Sequence, residues 1–412
     1  KAMRTSLDTA EVRGTYVSRR EPSLWMIDKE NGGKSDALNA GLNAARYPYI
    51  CAVDADAILE EDALLRVAKP IIDDPELVVA AGGIVRIANG CTVDRGQVLD
   101  VRLPKSRLAT FQVVEYFRAF LVGRVGWARL HSLLIISGAF GLFKREAVEA
   151  AGGYSTDTVG EDAELVVRMH RHLRERGEEY RIEFVPDPVC WTEAPESMRV
   201  LSRQRRRWQR GLAETLWRHK AMFGRPRYGA LGMIALPYFV LFELVGPLFE
   251  IASFVLLPVA YALGMLDASI LVAFAIVAVL LGVLLSVAAL ALEEFSFRRH
   301  PHGKEVIRML VYAVTENFGY RQLVDWWRLL GLWDVVRRRK GWGDMKRKGF
   351  EVLTPVAPIR LDGAAPLRND LRSSGRHPAF ETASPSGSAQ APDESAERPG
   401  DRADLPVVGP PK

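Results

Sequence analysis

Two hydrophobic periods alternate along the first 200 residues of the chain. Short apolar runs, partly β-branched, predict buried strands at 49–53, 77–81, 84–87, 137–143 and 181–185. Between these runs, apolar residues three or four positions apart predict helices. Because strands and helices alternate, the sequence predicts an α/β domain with a mostly parallel sheet and helices on both faces.

Three of the predicted helices have a distinct apolar composition. The helix after Asp62 is expected to bury Leu64, Leu65, Ala68 and Ile72. The helix that begins at Glu161 is expected to bury Leu165, Val166, Met169 and Leu173. The segment from Phe111 to Leu130 combines aromatics with arginines and predicts one long helix, which packs in the core or contacts a membrane interface or a sugar.

From Tyr228 onward the composition becomes that of a membrane region. Apolar runs cover 231–249, 251–266 and 271–292, and the last is about long enough to span a bilayer. The run 306–332 is mixed, and it is either a spanning helix that lines a protein interior or a helix in the interface. The number of crossings therefore stays between two and four.

Charge and cysteine usage favour a membrane partner and a reducing compartment. The formal charge is +5 over 412 residues, and the arginines that dominate it flank apolar runs. This placement favours an anionic membrane face over nucleic acid. Cys51, Cys91 and Cys190 have no metal-ligand spacing and read as reduced thiols. Since the sequence starts at Lys1 with no signal peptide, it is expected to begin inside a longer chain.

Two carboxylates, Asp54 and Asp56, stand directly after the predicted strand 49–53. In an extended turn, side chains two positions apart point the same way, so both could reach one hard cation and leave it open to phosphate oxygens. Ligands of such sheets bind at the carboxyl ends of the strands. The alternative is an acidic turn without a ligand, because Asp-x-Asp alone is a weak motif.

Two predicted helix starts carry further candidate chemistry. The loop Asn31-Gly32-Gly33-Lys34 enters a helix, and such a loop offers backbone N–H groups and a lysine to an anion. The alternative is a surface loop with a solvated lysine. Glu161 and Asp162 begin another helix, either as ordinary capping acids or with one carboxylate held toward a cleft as a general base.

Five arginines fall within the eight residues 203–210. On a helix, Gln204, Arg207 and Trp208 share one face, which offers an amide, a planar cation for phosphate oxygens and an indole for stacking. The alternative is a basic membrane-surface helix without a ligand. A neighbouring stripe, expected to meet lipid headgroups, consists of Arg203, Arg206 and Arg210.

Taken in order, these motifs resemble those of the membrane-integrated family-2 glycosyltransferases, which include the cellulose, chitin, hyaluronan and poly-N-acetylglucosamine synthases. The resemblance covers about residues 25–350. Asn31-Gly32-Gly33-Lys34 resembles the family's donor-binding lysine loop, and Asp54-Ala55-Asp56 matches its metal and nucleotide-diphosphate motif. Gly160-Glu161-Asp162 matches the Thr-Glu-Asp motif with Gly160 in place of the usual Thr, and residues 204–208 match Gln-x-x-Arg-Trp in full.

The resemblance implies a GT-A-type fold and an inverting glycosyltransferase that uses Mg²⁺ or Mn²⁺ and a nucleotide sugar, most simply a UDP-sugar. It assigns Asp162 as the catalytic base with Glu161 beside it, and Asp54 and Asp56 as metal ligands. The residues it assigns to the nucleotide sugar are Lys34, Asp36, Asp54, Asp56, Gln204, Arg207 and Trp208. The acceptor is a growing polysaccharide or, for a non-processive enzyme, a lipid. Membrane lipids and accessory export proteins are further expected partners.

The expected organisation places a catalytic domain on the cytosolic side of a multi-pass membrane protein. A competing interpretation from a different class is a transport or scaffold protein whose acidic pairs are only caps. The expected segments are a catalytic domain at 1–200, an amphipathic interface helix at 201–227, membrane or re-entrant helices at 228–335, a basic cytosolic segment at 336–354 and a disordered tail at 355–412.

Overall fold

The computed structural model describes residues 7–297 and 303–337 of the chain. Most of the predicted basic segment and all of the predicted disordered tail lie outside the described residues. The described strands are β1 (Val12–Val17), β2 (Trp25–Lys29), β3 (Tyr49–Val53), β4 (Ile58–Leu59), β5 (Val78–Ile87), β6 (Thr92–Asp94), β7 (Gln97–Asp100), β8 (Phe140–Lys144) and β9 (Arg181–Thr192).

The same residues form α-helices of very different lengths. They are α1 (Lys34–Ala44), α2 (Ala63–Asp73), α3 (Arg107–Phe117), α4 (Val125–Arg129), α5 (Arg145–Ala150), α6 (Glu161–Arg176), α7 (Met198–Arg218), α8 (Leu236–Tyr238), α9 (Gly246–Ala262), α10 (Ala268–Ser296), α11 (Gly303–Thr315) and α12 (Tyr320–Val336).

Five strands form the central sheet in the order β3-β8-β5-β9-β4, while β1-β2 and β6-β7 are separate two-stranded ribbons. The α/β class is confirmed, but the prediction of a mostly parallel sheet is wrong. Only β5 and β9 pair in parallel, and the other three neighbouring pairs of the central sheet are antiparallel. A strand that is covered on both faces is continuously apolar in either direction, so the hydrophobic pattern does not reveal its direction.

The direction of the strands still brings several chain segments to one edge of the sheet. Strands β3, β5 and β9 run the same way, so their carboxyl ends share an edge. Strand β8 runs against β3, and Val53 at the end of β3 faces Phe140 at the start of β8. The loop that enters β8 therefore lies beside Asp54, whose backbone N–H bonds to the Ala139 carbonyl oxygen at 3.4 Å.

The core of the domain is formed around β5, in which all ten residues are buried. Helix α6 contributes Leu165, Val166, Met169 and Leu173 to the buried set, as predicted. The long helix predicted from Phe111 is also confirmed, since α3 continues through a π-helical segment, Arg118–Arg124, into α4. Its Phe117 and Phe120 lie in the core, so core packing describes these two aromatics better than contact with a membrane.

Two stretches are long and apolar enough to cross a membrane within the described residues, Leu231–Ala262 and Ala268–Ser296. Only α10 among them is one continuous α-helix, because the first stretch runs through α8, α9 and π-helical turns. The mixed run predicted at 306–332 consists of two helices, α11 and α12, rather than one.

The C-terminal half of α10 is attached to the domain that contains the central sheet by buried polar contacts. Arg86 of β5 forms a two-pronged ion pair with Glu293 of α10, and both side chains are almost completely buried. Arg118 donates a 2.6 Å hydrogen bond to the Ser286 hydroxyl and pairs with Glu316. The end of the most apolar helix is therefore fixed to the sheet, and its first half carries most of the exposed apolar side chains.

Candidate active site

Lys34 joins three parts of the chain at the centre of the candidate site. It is the first residue of α1, and the preceding Gly33 has φ +89°, a conformation that glycine adopts readily. The Lys34 Nζ lies 2.7 Å from Asp54 Oδ1 and 3.3 Å from Glu161 Oε1. It also donates a 3.4 Å hydrogen bond to the Gly138 carbonyl oxygen. One ammonium group thus contacts the end of β3, the start of α6 and the loop before β8.

The charges of this cluster act strongly on one another. Burial disfavours the ammonium charge, but the Asp54 and Glu161 carboxylates outweigh it and raise the pKa of Lys34. Burial and the negative charge of Asp162 raise the pKa of Glu161, against the opposing effect of Lys34. Such a concentration of charge in a partly water-excluded place is typical of a ligand-binding site.

Asp54 and Asp56 form a donor set that suits a hard cation. Asp54 follows the last residue of β3, and its backbone carbonyl accepts a 3.0 Å hydrogen bond from the Ala57 N–H, so Asp56 lies within a tight turn. Mg²⁺ is commonly bound by one or two carboxylates together with phosphates and water. The described residues contain no cluster of three or more His, Cys, Asp and Glu side chains arranged for a metal. The pair therefore fits a cation that is shared with phosphate.

Backbone N–H groups hold both oxygens of the Asp162 carboxylate. Oδ2 accepts a 3.1 Å hydrogen bond from Gly138 N, and Oδ1 accepts one of 2.8 Å from Ala163 N. Asp162 lies in the first turn of α6, where the helix dipole stabilises negative charge. A carboxylate fixed in this way can accept a proton from a ligand hydroxyl.

Gly138 is the backbone link between the lysine and this carboxylate. Its N–H bonds to Asp162 and its carbonyl oxygen accepts from Lys34. A β-carbon at this position would lie 2.8 Å from Lys34 Nζ and 3.5 Å from Asp162 Oδ2. This glycine was predicted to lie in a strand at 137–143, but β8 begins at Phe140, and Gly138 lies in the preceding loop beside two of the candidate site residues.

Helix α7 approaches the start of α6 with the face that carries the Gln-x-x-Arg-Trp motif. A β-carbon at Gly211 would lie 2.8 Å from the Gly160 Cα, so the two backbones are in direct contact. Trp208, Arg207 and Gln204 precede Gly211 by three, four and seven positions, which puts all of them on its helix face. The motif and the Glu161-Asp162 pair therefore belong to two elements in contact.

Individual side chains of the motif have different surroundings. Gln204 is buried, and its Oε1 has no hydrogen-bond partner among the described residues. Trp208 is 42% exposed, and the Arg205 guanidinium lies 4.5 Å from the centre of its ring. Arg205 itself is buried and donates a 2.9 Å hydrogen bond to Glu115. The indole thus keeps one part accessible while an arginine supports it.

The prediction that the neighbouring arginine stripe meets lipid headgroups is wrong for two of its members. Arg206 forms hydrogen bonds of 2.9 and 2.8 Å with both carboxylate oxygens of Asp334 in α12. Arg210 is buried and lies 3.5 Å from Glu214. Arg206 thus pairs with an acid of α12, which packs on α7, and Arg210 pairs with an acid one turn later in α7 itself.

Asp36 is not brought into the Lys34 cluster. Its side chain is buried, pairs with Lys29 and accepts a 2.8 Å hydrogen bond from Ala10 N. These contacts fix the loop between β2 and α1. Its assignment to the nucleotide sugar stays a prediction, and its described contacts are with protein groups.

Sequence reasoning did not assign a role to three residues that surround the carboxylates. The Tyr154 hydroxyl is buried without a hydrogen-bond partner among the described residues, and burial with the charges of Asp162 and Glu161 raises its pKa. Burial lowers the pKa of Arg124 to about 10 against the attraction of Asp162. Glu214 binds the loop before Glu161. Their spacing from the motifs gave no signal, because only the folded chain brings them together.

Comparison with protein families identifies the class to which this fold and site correspond. Residues 49–286, more than half of the 412-residue chain, match the family described as glycosyl transferase family group 2. The chain belongs to this family. The resemblance inferred from the motifs is confirmed at that level.

Curated relatives indicate which members of the family the chain is similar to. It is 34% identical over 217 residues to a poly-β-1,6-N-acetyl-D-glucosamine synthase of Staphylococcus aureus, a match that covers 52% of this chain and 47% of that protein. The corresponding protein of Staphylococcus epidermidis is 31% identical over 219 residues, with the same coverage of 52% and 47%. The chain thus spans about half the length of the curated relatives it matches.

A solved structure gives only a distant match. It is a mannosyltransferase from Pyrobaculum calidifontis in complex with GDP-Man and Mn²⁺, at 20% identity and a TM-score of 0.43. The match covers 71% of this chain and 69% of that one. A similarity of this size does not bear on the ligands of the present chain.

Replacing Gly138 with alanine is expected to lower the rate of sugar transfer about 10- to 100-fold with little change in thermal stability. The new methyl group would displace the flexible Lys34 ammonium from its place beside Asp54, and small displacements of this kind are costly to catalysis. The measurements are kcat and the Tm. Gly126→Ala is the matched control, since nothing lies within 4 Å of a β-carbon there. Equal rates for the two variants would contradict the role given to Gly138.

Proposed function

We propose that the chain transfers a sugar from a nucleotide-diphosphate donor to a growing polysaccharide at a membrane. The observation that carries the proposal is the cluster around Lys34, in which the Asp54 carboxylate, Glu161 and the candidate base Asp162 meet. Membership in the glycosyltransferase family supports the same reaction class.

The donor would be bound at the carboxyl end of β3. Asp54 and Asp56 would hold Mg²⁺ or Mn²⁺, which when bound neutralises the diphosphate as it leaves. The Lys34 ammonium, 2.7 Å from Asp54, is close enough to the carboxylate pair to exchange that contact for a phosphate oxygen. Arg207 would supply a second cation, and Gln204, on the same face of α7, an amide. Positive groups placed in advance stabilise the charge that develops on the leaving group.

The acceptor would be activated by Asp162. Its carboxylate takes the proton from an acceptor hydroxyl, the hydroxyl oxygen bonds to the anomeric carbon, and the bond from that carbon to the diphosphate oxygen breaks. A single displacement of this kind inverts the anomeric configuration. The exposed part of the Trp208 indole offers an apolar face on which a sugar ring can stack. Glu161, buried beside Lys34, keeps the ammonium in place.

The names of the relatives narrow the first substrates to test. The relatives are poly-β-1,6-N-acetyl-D-glucosamine synthases, so N-acetylglucosamine is the first sugar to test as donor. A β-1,6-linked polymer is the first product to look for. UDP is the first nucleotide part of the donor to test, because the motif resemblance implies a UDP-sugar.

The apolar helices would hold this site at the inner face of a cell membrane. An 18-residue window within Leu231–Ala262 has a mean hydropathy of 2.0 and one within Ala268–Ser296 a mean of 3.1, and few side chains of these windows are buried. Exposed apolar side chains in such numbers fit a lipid environment better than water. Membrane lipids are thus the proposed partner of α9 and of the first half of α10, with the catalytic domain in the cytosol.

Nucleotide release by the full-length protein in membranes tests the proposed reaction. A panel of UDP- and GDP-sugars is expected to give release from UDP-N-acetylglucosamine above all others. Release is expected to stop with EDTA and to return with Mn²⁺ or Mg²⁺. Without the metal, the negative charges of Asp54, Asp56 and the diphosphate repel one another. Metal-independent release would contradict the metal role of Asp54 and Asp56. No transfer from any donor would overturn the proposal and favour a transport or scaffold role.

The size of the product separates the two acceptor classes. A ladder of oligosaccharides is expected for a growing polysaccharide. A single sugar attached to lipid would show a non-processive enzyme of the same chemistry and would overturn the polymer as product.

A further inference from the structure

The start of helix α6 is attached to α7 by an unusually close backbone contact. A β-carbon at Gly160 would lie 2.9 Å from the Gly211 Cα, and one at Gly211 would lie 2.8 Å from the Gly160 Cα. Gly160 has φ −118°, which any residue can adopt, so the requirement for glycine at this position is steric. The usual threonine of the motif would not fit here without moving α7.

Glu214, one turn beyond Gly211, binds the segment immediately before Glu161 and Asp162. Its Oε2 accepts a 2.9 Å hydrogen bond from the Thr158 hydroxyl and a 3.1 Å hydrogen bond from Val159 N. The Thr158 hydroxyl oxygen accepts in turn from Gly160 N at 3.2 Å. Three successive residues before Glu161 are therefore connected to one carboxylate of α7.

Other contacts keep α7 itself in place. Its Arg206 is bound by Asp334 of α12, and a β-carbon at Gly331 of α12 would lie 2.7 Å from the Arg206 carbonyl oxygen. Within α7, Arg210 lies 3.5 Å from the second oxygen of Glu214, the one that Thr158 and Val159 do not use. Glu214 thus extends from a helix that is held by α12 to the segment 158–160.

We propose that Glu214 is a positioning residue for sugar transfer. It fixes the segment 158–160, and through this segment it sets the place of the Asp162 carboxylate relative to Gly138 and to the Trp208 face of α7. This role rests on the proposed function of Asp162 as the base. Glu214 touches neither substrate nor reacting atoms, and it acts only through Thr158 and Val159.

Kinetics of Glu214 variants in the full-length protein test this role. Glu214→Ala is expected to lower kcat about 10- to 100-fold while the KM for the nucleotide sugar changes less than about twofold, because the base is displaced but the donor site is not. Glu214→Gln keeps an oxygen acceptor for Thr158 and Val159 and is expected to recover most of the rate. Thr158→Val in the Glu214→Ala background is expected to cause no further loss, since the two residues act through one contact.

The controls separate this proposal from a general loss of structure and from failure of the proposed function. Glu175→Ala, at the far end of α6, removes contacts to Arg171 and Tyr228 and is expected to leave kcat unchanged. An unchanged kcat for Glu214→Ala in an active protein would overturn the positioning role. A kcat for Glu214→Gln as low as that for Glu214→Ala would also overturn it. So would a double variant, Glu214→Ala with Thr158→Val, whose kcat is lower than that of Glu214→Ala alone. An inactive wild-type protein would contradict the proposed function instead.

Discussion

Asp162→Asn is expected to reduce sugar transfer by about 10²- to 10⁴-fold while the protein still binds the nucleotide sugar. The amide has nearly the same shape and can still accept the hydrogen bond from Gly138 N, but it cannot take a proton from the acceptor hydroxyl. Lys34 and Asp54, which are proposed to bind the nucleotide sugar, are unchanged by the substitution. The measurements are kcat for transfer and the dissociation constant of the donor.

Asp157→Asn is the matched control for this substitution. Asp157 is exposed five residues before Asp162, and the same exchange there is expected to leave both quantities within about twofold. If Asp162→Asn retained near wild-type transfer, another group would have to be the base. If it lost donor binding together with transfer, the carboxylate would belong to the donor side of the site.

Glu293→Ala is expected to destabilise the protein by about 3–5 kcal/mol. Arg86 is 3% exposed, and without Glu293 its charge would be left buried in the sheet with no compensating carboxylate. Among the described residues, its guanidinium also lies over the rings of Phe117 and Phe297, each 5.6 Å away. The measurement is denaturant unfolding in detergent, with intrinsic tryptophan fluorescence as the signal.

The double variant Arg86→Met with Glu293→Met tests the cause of that loss. Removing both charges leaves no uncompensated ion, so this variant is expected to be clearly more stable than Glu293→Ala. A double variant as unstable as the single one would show that the charge pair is not the source. Lys69→Ala is a surface control, because its pair with Asp73 is exposed and is expected to contribute less than about 1 kcal/mol.

The candidate site was largely predictable from sequence because its parts are local motifs. Asp54 follows a strand and Asp162 lies in the first turn of a helix, and the neighbouring residues predict both of these elements. The convergence of Lys34, Asp54 and Glu161 follows from strand ends and helix starts that meet at one edge of a sheet. The role of Gly138 as the link between Lys34 and Asp162 required the structure, since it depends on where β8 is inserted.

The strand order and one helix face were not predictable in the same way. Helix α2 has the predicted period but buries Ala63, Val67 and Ile71, while Leu64 and Leu65 are exposed, so the predicted buried face was wrong. Two apolar stripes compete on this helix, and only its packing on β5 and β9 selects the one with the small Ala63. The antiparallel direction of β8 likewise depends on pairing with β3 and β5, which are distant in sequence.

Ion pairs between residues far apart in the chain could not be predicted from the sequence either. The partner of Arg206 is Asp334, 128 residues later, and that of Arg86 is Glu293, 207 residues later. The sequence suggested lipid headgroups for Arg206 and no partner for Arg86. The fold provides carboxylates for them instead, because two distant helices pack against the domain.

The central claim is that Asp54 and Asp56 hold the donor's cation while Asp162, in the same site, acts only on the acceptor. Titration calorimetry of UDP into wild type, Asp56→Asn and Asp162→Asn, each with and without Mn²⁺, tests this claim most directly. The expected result is metal-dependent UDP binding that Asp56→Asn weakens by more than about tenfold and Asp162→Asn leaves within about threefold of wild type. UDP binding that is independent of Mn²⁺, or equally weakened by both substitutions, would contradict it.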